Sequence, residues 1–475
     1  MQGVGKMERG KIGARILICD RIGLRSDPDG CHDFSEVVEF IEEHGGVFHI
    51  GPASMDADTP LDRLHFYYQP DLSEAEDLIL AAGGGRYDAV IAAATIIPPA
   101  CRFEKGGVRI GAGTGNMQSQ SWGGSDGSGG TAPLMNTPGF NSRATAHMVF
   151  KAILRASPDL PLDELHEAVI AGQMDTGRDL KNFPTDKIEG KNLLVLGYGN
   201  IGREVAKLGK AFGMHVSIYA RKIHRDWIEA QGYRYCETLA DAATDAHFVS
   251  AHVGLGTKKN GSEHFANEQL MDRSFFGKLS PGAVVVNYDR GQIVDIDSLA
   301  EALENGTISF FAVDADIFVN EKDCSVSGPL SPYIALAKTY PGRMLLLPHA
   351  VADTDHSSRV EGAKQAVRQM FDSITHGLVT NLVGVLPEGY RWYGTKVAPG
   401  VGYVQAEDLK TILNDEAGLT RLRVLSWQMA EIWQGLTTNN IDSESRDLVL
   451  AINRYVTLVS DLGLLQPTRI EPFNY

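Results

Sequence analysis

The 475 residues contain no uninterrupted apolar run near the roughly 18 residues that a membrane helix needs, so no span is expected. Positive charge is in deficit. Lys and Arg total 44 against 60 Asp and Glu, a formal net charge of −16, which argues against a nucleic-acid surface. Cysteine is scarce: Cys19, Cys31, Cys101, Cys236 and Cys324 are scattered, odd in number and without a CxxC pair. That excludes a disulfide framework and a cysteine-built metal site, and points to a reducing compartment. The basic opening MQGVGKMERGKIGAR lacks the apolar centre of a secretory signal, so a cytoplasmic location is expected. What the chain does have is 43% hydrophobic residues, enough for large cores, and a length that suggests two or three domains at roughly 150 residues each.

Short apolar runs alternate with helix-like stretches, which predicts an α/β protein with parallel sheets between helical layers. RILICD (15–20), DAVIAAATI (88–96) and VRIGAG (108–113) read as strands, and SEVVEFIEEHGG (35–46) as a helix. Residues 117–133, MQSQSWGGSDGSGGTAP, form a Gly/Ser-rich segment whose composition predicts flexibility. Either a mobile site loop or a permissive surface insertion fits it. From Asn141 the pattern SRATAHMVFKAILRA is a long helix with an apolar face. Six strand-like runs then follow between 190 and 350 (KNLLVLG, HVSIYA, AHFVSAHV, GAVVVNY, ISFFAVDAD, RMLLLPH), enough for a doubly wound nucleotide-binding sheet. Beyond about 385 lie an aromatic loop, GYRWYG, and two amphipathic stretches read as a helical extension that packs internally or on a partner.

The strongest local signal is Gly197-Tyr198-Gly199-Asn200-Ile201-Gly202 between the strand LLVL and the helix REVAKLGKAF. Its glycines allow a tight turn, close approach to a pyrophosphate and close helix–strand packing, while the helix N-terminus supplies positive partial charge. The end of the second strand selects the dinucleotide. An NAD site offers an acid there to the ribose hydroxyls, but this chain has Ala220 followed by Arg221 and Lys222, with Arg225 beyond. NADP is therefore the expected cofactor, with NAD possible. A solvated basic loop is the plainer alternative.

The order of helix, GxGxxG, HV, NYDRGQIVD, VDAD and LPHAVADT resembles the D-isomer-specific 2-hydroxyacid dehydrogenases over about 105–380. That family includes phosphoglycerate, glyoxylate/hydroxypyruvate and formate dehydrogenases. The resemblance implies a two-lobed α/β fold: a Rossmann dinucleotide-binding domain at 149–351, inserted into a flavodoxin-like catalytic domain made of 1–148 and 352–385. Residues 386–475 would be the helical C-terminal extension. It also implies hydride exchange between nicotinamide and C2 of a 2-hydroxy or 2-keto acid, and a homodimer.

The resemblance further assigns roles. Arg290 matches the arginine that holds the substrate, and His349 the acid/base histidine whose ordinary pKa of about 6.5 serves both directions. His252, Val253, Tyr288 and Asp314 fall where relatives line the cofactor site, and Ala112, Gly113 and Thr114 where backbone amides meet the substrate carboxylate. The family's carboxylate behind the histidine would stand at position 319, which is Val319 here; Asp316 and Glu321 are the nearby alternatives. His147 replaces a common Glu in the long helix, and Gly254 a common Pro after His252-Val253. His349 and His356 match no metal motif and no metal is assigned; Asp353 and Thr354 read as helix caps. Two other functions remain open: a formate- or phosphite-type dehydrogenase, and a nucleotide-sensing protein with little turnover.

Overall fold

The computed structural model describes residues 13–392 apart from 55–60, 157–160, 184, 260–262, 321–322 and 350. The amphipathic stretches expected to form the C-terminal extension, and Glu321, lie outside the described residues. The described residues divide into two compact units, one formed by 13–141 together with 353–392, the other by Ser142–Ala352.

The first unit is built on a seven-stranded sheet. Its strands are β1 (Ala14–Ile18), β2 (Val47–Ile50), β3 (Leu64–Tyr68), β4 (Ala89–Ala92), β5 (Gly106–Arg109) and β6 (Leu134–Asn136), closed by Leu382–Val383. The order is Leu382–Val383, β6, β5, β4, β1, β3, β2. All neighbours are parallel except the antiparallel pair of Leu382–Val383 with β6. This is a five-stranded flavodoxin-like order with a strand added at each edge, Val47–Ile50 and Leu382–Val383. Alternate residues of β1 feed two cores, Ala14, Ile16 and Ile18 on one face and Leu17 on the other. A strand covered on both faces must be apolar at every position, and ARILI comes close.

The helix His356–His376 covers one face of this sheet. It is capped by Asp355, whose side chain accepts from the Ser358 amide, not by Asp353 or Thr354, which fall in the preceding turn. Gly377, at φ 64°, ends it in the left-handed conformation that glycine tolerates.

The Gly/Ser-rich segment is packed, contrary to the flexibility its composition suggests. Trp122 is 1% exposed, stacks on Phe103 and donates its indole N–H to the Met117 carbonyl at 2.9 Å. Its ring also lies over Gly107, where a Cβ would come within 2.7 Å of it. Small residues here permit close backbone approach, and one large anchor fixes the loop.

The second unit carries the strands β7 (Asn192–Leu196), β8 (His215–Tyr219), β9 (Arg234–Cys236), β10 (Phe248–Ala251), β11 (Ala283–Asn287), β12 (Ile308–Ala315) and Met344–Pro348. Their order, β9, β8, β7, β10, β11, β12, Met344–Pro348, is that of a doubly wound fold with its switch point between β7 and β10. Leu193 and Val195 enter one core, Leu194 and Leu196 the other. No described helix is long and apolar enough to cross a membrane, and the five cysteines are free.

Candidate active site

The glycine loop joins β7 to the helix Asn200–Ala211. Gly197 has φ 95°, and a Cβ on it would meet the His252 carbonyl at 2.1 Å; one on Gly202 would meet the Gly197 carbonyl at 2.2 Å. These two glycines close the turn. Gly199 is different: it is the N-cap with no side-chain cap bond, and nothing lies within 4 Å of its would-be Cβ. Open space therefore faces the first-turn amides of the helix, which have no intrahelical partner. That cradle fits a dinucleotide pyrophosphate.

At the end of β8, Arg221 and Lys222 are exposed, and Arg225 pairs with Glu229 at 2.9 Å. Arg225 is thus occupied, which leaves Arg221 and Lys222 as the cations available at the turn. His252, after β10, keeps its ring inward, with Nε2 2.6 Å from the Ser250 hydroxyl. Burial pulls its pKa down to about 3, so the ring is neutral.

The catalytic candidates converge at the carboxyl ends of β11, β12 and Met344–Pro348. Arg290 follows β11 in a turn held by Asn287 Nδ2, which donates to the Arg290 carbonyl at 2.9 Å, and by Tyr333, whose hydroxyl donates to the Gly291 carbonyl at 2.6 Å. His349 is anchored by its amide on the Ala315 carbonyl at 3.0 Å. Although 59 positions apart in sequence, Arg290 Nη1 and His349 Nε2 lie 3.0 Å from each other. Behind the ring, Asp314 Oδ1 is 3.6 Å from Nδ1, and Asp314 is 4% exposed. Asp314 raises the histidine pKa, against burial and Arg290, which lower it.

Two expectations need correction. Among the described residues the carboxylate nearest His349 Nδ1 is that of Asp314 rather than Asp316, and Glu321 lies outside them. Strand β12 ends at Ala315, so Asp316 is already exposed and acts on the ring only as a lesser charge. Tyr288 does not turn its side chain to a cofactor: its ring is buried in the core with Phe150, Val286 and Phe310, and burial pushes its phenol pKa up.

Motif matching also missed Asp289. Its carboxylate accepts a hydrogen bond from the Gly254 amide, and its pKa is raised by burial despite that bond and the Arg290 charge. A proline at 254 would have no amide to give. Glycine at that position was the visible sign. Asn267 Nδ2, donating to the Gly254 carbonyl at 2.9 Å, clamps the same loop from its other side.

In the first unit, Ala112 and Gly113 are exposed at the end of β5. The Thr114 hydroxyl donates to the Ser125 carbonyl at 2.8 Å, so the packed Gly/Ser segment braces this turn. Arg109 folds over it; a Cβ on Gly111 would collide with the guanidinium at 1.3 Å. A cavity of about 440 Å³ touching Asn192, Lys210, His215 and Arg234 lies at the amino ends of β7–β9, opposite the edge where doubly wound sheets bind ligands.

An open helix N-terminus beside an Arg–His–Asp cluster, all at the carboxyl edge of one doubly wound sheet, defines a dinucleotide-dependent dehydrogenase site. The family model described as "D-isomer specific 2-hydroxyacid dehydrogenase, NAD binding domain" matches residues 161–350. A glyoxylate reductase of Aeropyrum pernix is 30% identical over 253 residues, 53% of this chain and 69% of that protein. A D-3-phosphoglycerate dehydrogenase of Methanocaldococcus jannaschii is 26% identical over 253 residues, and the chain spans only 43% of its length. Among solved structures, a D-lactate dehydrogenase of Treponema pallidum shares the fold with a TM-score of 0.55 at 14% identity, covering 78% of this chain and 99% of that one. The chain belongs to the D-isomer-specific 2-hydroxyacid dehydrogenase family of NAD(P)-dependent oxidoreductases.

Proposed function

We propose that this protein is a cytoplasmic, homodimeric dehydrogenase that prefers NADP(H) and acts on a small 2-hydroxy or 2-keto acid. In this reading Ser142–Ala352 is the dinucleotide-binding domain and the other unit the substrate domain. The observation that carries it is the Arg290–His349 contact at 3.0 Å with Asp314 behind the ring. The nicotinamide supplies or accepts hydride when bound. Everything else falls to side chains and backbone of this chain.

Arg290 presents a planar fork to the substrate's carboxylate and C2 oxygen. A guanidinium only donates, so in the substrate-free geometry His349 Nε2 accepts from Arg290 and is unprotonated. An arriving carboxylate draws Arg290 away and frees Nε2. Asp314 then favours uptake of a solvent proton at Nε2, and the imidazolium so formed donates that proton to the C2 oxygen during reduction. In oxidation the neutral ring takes that proton from the hydroxyl.

The helix first turn after Gly199 would hold the pyrophosphate and Arg221 with Lys222 the 2′-phosphate, where Ala220 leaves no repelling acid. Support for a dimer comes from the short helix Leu162–Ile170, which has no buried residue and exposes Leu162, Val169 and Ile170 by 67, 60 and 67%.

Nicotinamide absorbance with glyoxylate, hydroxypyruvate, pyruvate and longer 2-keto acids tests the reaction. NADPH should exceed NADH by about tenfold or more in kcat/KM, since 1.4 kcal/mol is tenfold and a charged hydrogen bond contributes roughly 1.5–3 kcal/mol. Ala220→Asp with Arg221→Ile should reverse that order. Intact cofactor binding without turnover of any 2-keto acid would overturn the reading in favour of a nucleotide sensor.

A further inference from the structure

We infer that His224 is a specificity-determining residue for the cofactor, recognising the 2′-phosphate by taking up a proton as that phosphate binds beside Arg221. This rests on the NADP(H) reading above.

His224 ends the short turn Lys222–His224 that follows β8. Its Nε2 lies 3.2 Å from Arg221 Nη2. Because a guanidinium can only donate, the ring is neutral and accepts there. On its other side the ring meets Tyr198 edge-on, with centroids 6.4 Å apart. Tyr198 stands between Gly197 and Gly199 of the pyrophosphate loop. His224 therefore bridges the glycine loop and the basic turn, beside the place where this fold receives the adenosine ribose.

Among the described residues, the charged groups acting on His224 are both positive. Arg221 comes from its own turn and Arg203 from the helix Asn200–Ala211. Burial, then Arg221, then Arg203, hold the imidazole pKa below its ordinary value. Arg203 is 6% exposed; it bonds the Gly199 carbonyl at 3.1 Å and Asn200 Oδ1 at 2.8 Å, and its Nη1 is buried without a partner. Tyr198 has its phenol pKa pushed up by burial and stays uncharged.

A phosphate dianion inverts this balance. It takes the Arg221 guanidinium, releases Nε2, and places negative charge beside a ring that had only cations. One solvent proton then binds Nε2 for each 2′-phosphorylated cofactor. Between the free and bound pKa of such a ring, affinity falls up to about tenfold per pH unit as pH rises. The phosphate's own second ionisation, near 6, is complete below pH 7 to 9, so that interval isolates the histidine.

The test is the Kd of NADPH and of NADH at about pH 7, 8 and 9, by titration of the full-length protein and of His224→Gln. In the wild type the NADPH Kd should rise on the order of tenfold over the interval, while that of NADH stays flat. In His224→Gln the NADPH slope should vanish and the two proteins should converge at the alkaline end. Unchanged NADH binding in the same variant reports an intact fold. A flat NADPH profile in the wild type, with NADPH still the tighter ligand, would sink the inference alone, as would a slope that survives in His224→Gln. NADH binding as tightly as NADPH at every pH would instead overturn the cofactor reading, and this inference with it.

Discussion

Replacing Asp314 with Asn tests the Arg290–His349–Asp314 arrangement most sharply, because it removes a charge and keeps the shape. Asp314 Oδ1 sits 3.6 Å from His349 Nδ1, and a unit charge pair near 4 Å is worth about 4 kcal/mol at an effective dielectric of about 20. Burial of the ring and the Arg290 charge oppose that attraction, so only part of it survives as a preference for imidazolium. At about 1.4 kcal/mol per tenfold, reduction of a 2-keto acid by Asp314→Asn should slow roughly tenfold to a hundredfold at neutral pH. The direction in pH is fixed as well. His349 has its pKa raised in the native protein, so the acid form needed for reduction is present below that pKa and lost as pH rises through it. Without the carboxylate the loss begins at lower pH, and the rise in the oxidation rate also moves to lower pH. Profiles of kcat/KM against pH in both directions are the assay. Unshifted profiles in Asp314→Asn, with His349→Ala still costing on the order of 10² to 10⁴ in rate, would show that Asp314 does not support the histidine.

Arg290→Lys should keep a cation but lose the fork, lowering kcat/KM by about tenfold or more while cofactor Kd is unchanged. Asp289→Asn retains an acceptor for the Gly254 amide and removes a carboxylate whose pKa is raised by burial. A raised folded-state pKa means that ionisation works against folding above it, so the Tm at neutral pH should hold or rise, whereas Asp289→Ala should lower stability by about 1–3 kcal/mol in denaturant titration. Trp122→Ala should cost roughly 3–5 kcal/mol in the first unit, read as a lower denaturation midpoint; a cost below about 1 kcal/mol would mean that the indole is not what anchors the Gly/Ser segment.

The sequence by itself determined the local features. Six apolar runs between 190 and 350 appear as strands because a sheet covered on both faces demands uninterrupted Val, Leu and Ile, a pattern independent of what packs on them. The glycine loop was legible for a similar reason: a turn that leaves no room for a Cβ at Gly197 or Gly202 restricts the residue type locally. Strands at or beside sheet edges were harder to read. Val47–Ile50, Leu64–Tyr68 and Arg234–Cys236 carry His, Tyr and Arg among their apolar residues, since an edge or half-covered strand tolerates polar side chains. Composition misled at 117–133, because glycine and serine suit a flexible linker and a tightly packed loop alike; only the seating of Trp122 over Gly107 separates the two.

The partner of His349 was likewise a tertiary decision. Counting along the chain pointed to positions near 319, but β12 ends at Ala315 and sends the following residues to the surface. Asp314 meets the ring only because β12 pairs with Met344–Pro348 in a register that sets Asp314 opposite Leu347, two residues before His349. Sequence spacing fixes which residues share a strand face; which carboxylate meets which imidazole depends on the register between strands that are distant in the chain, and that is set by packing.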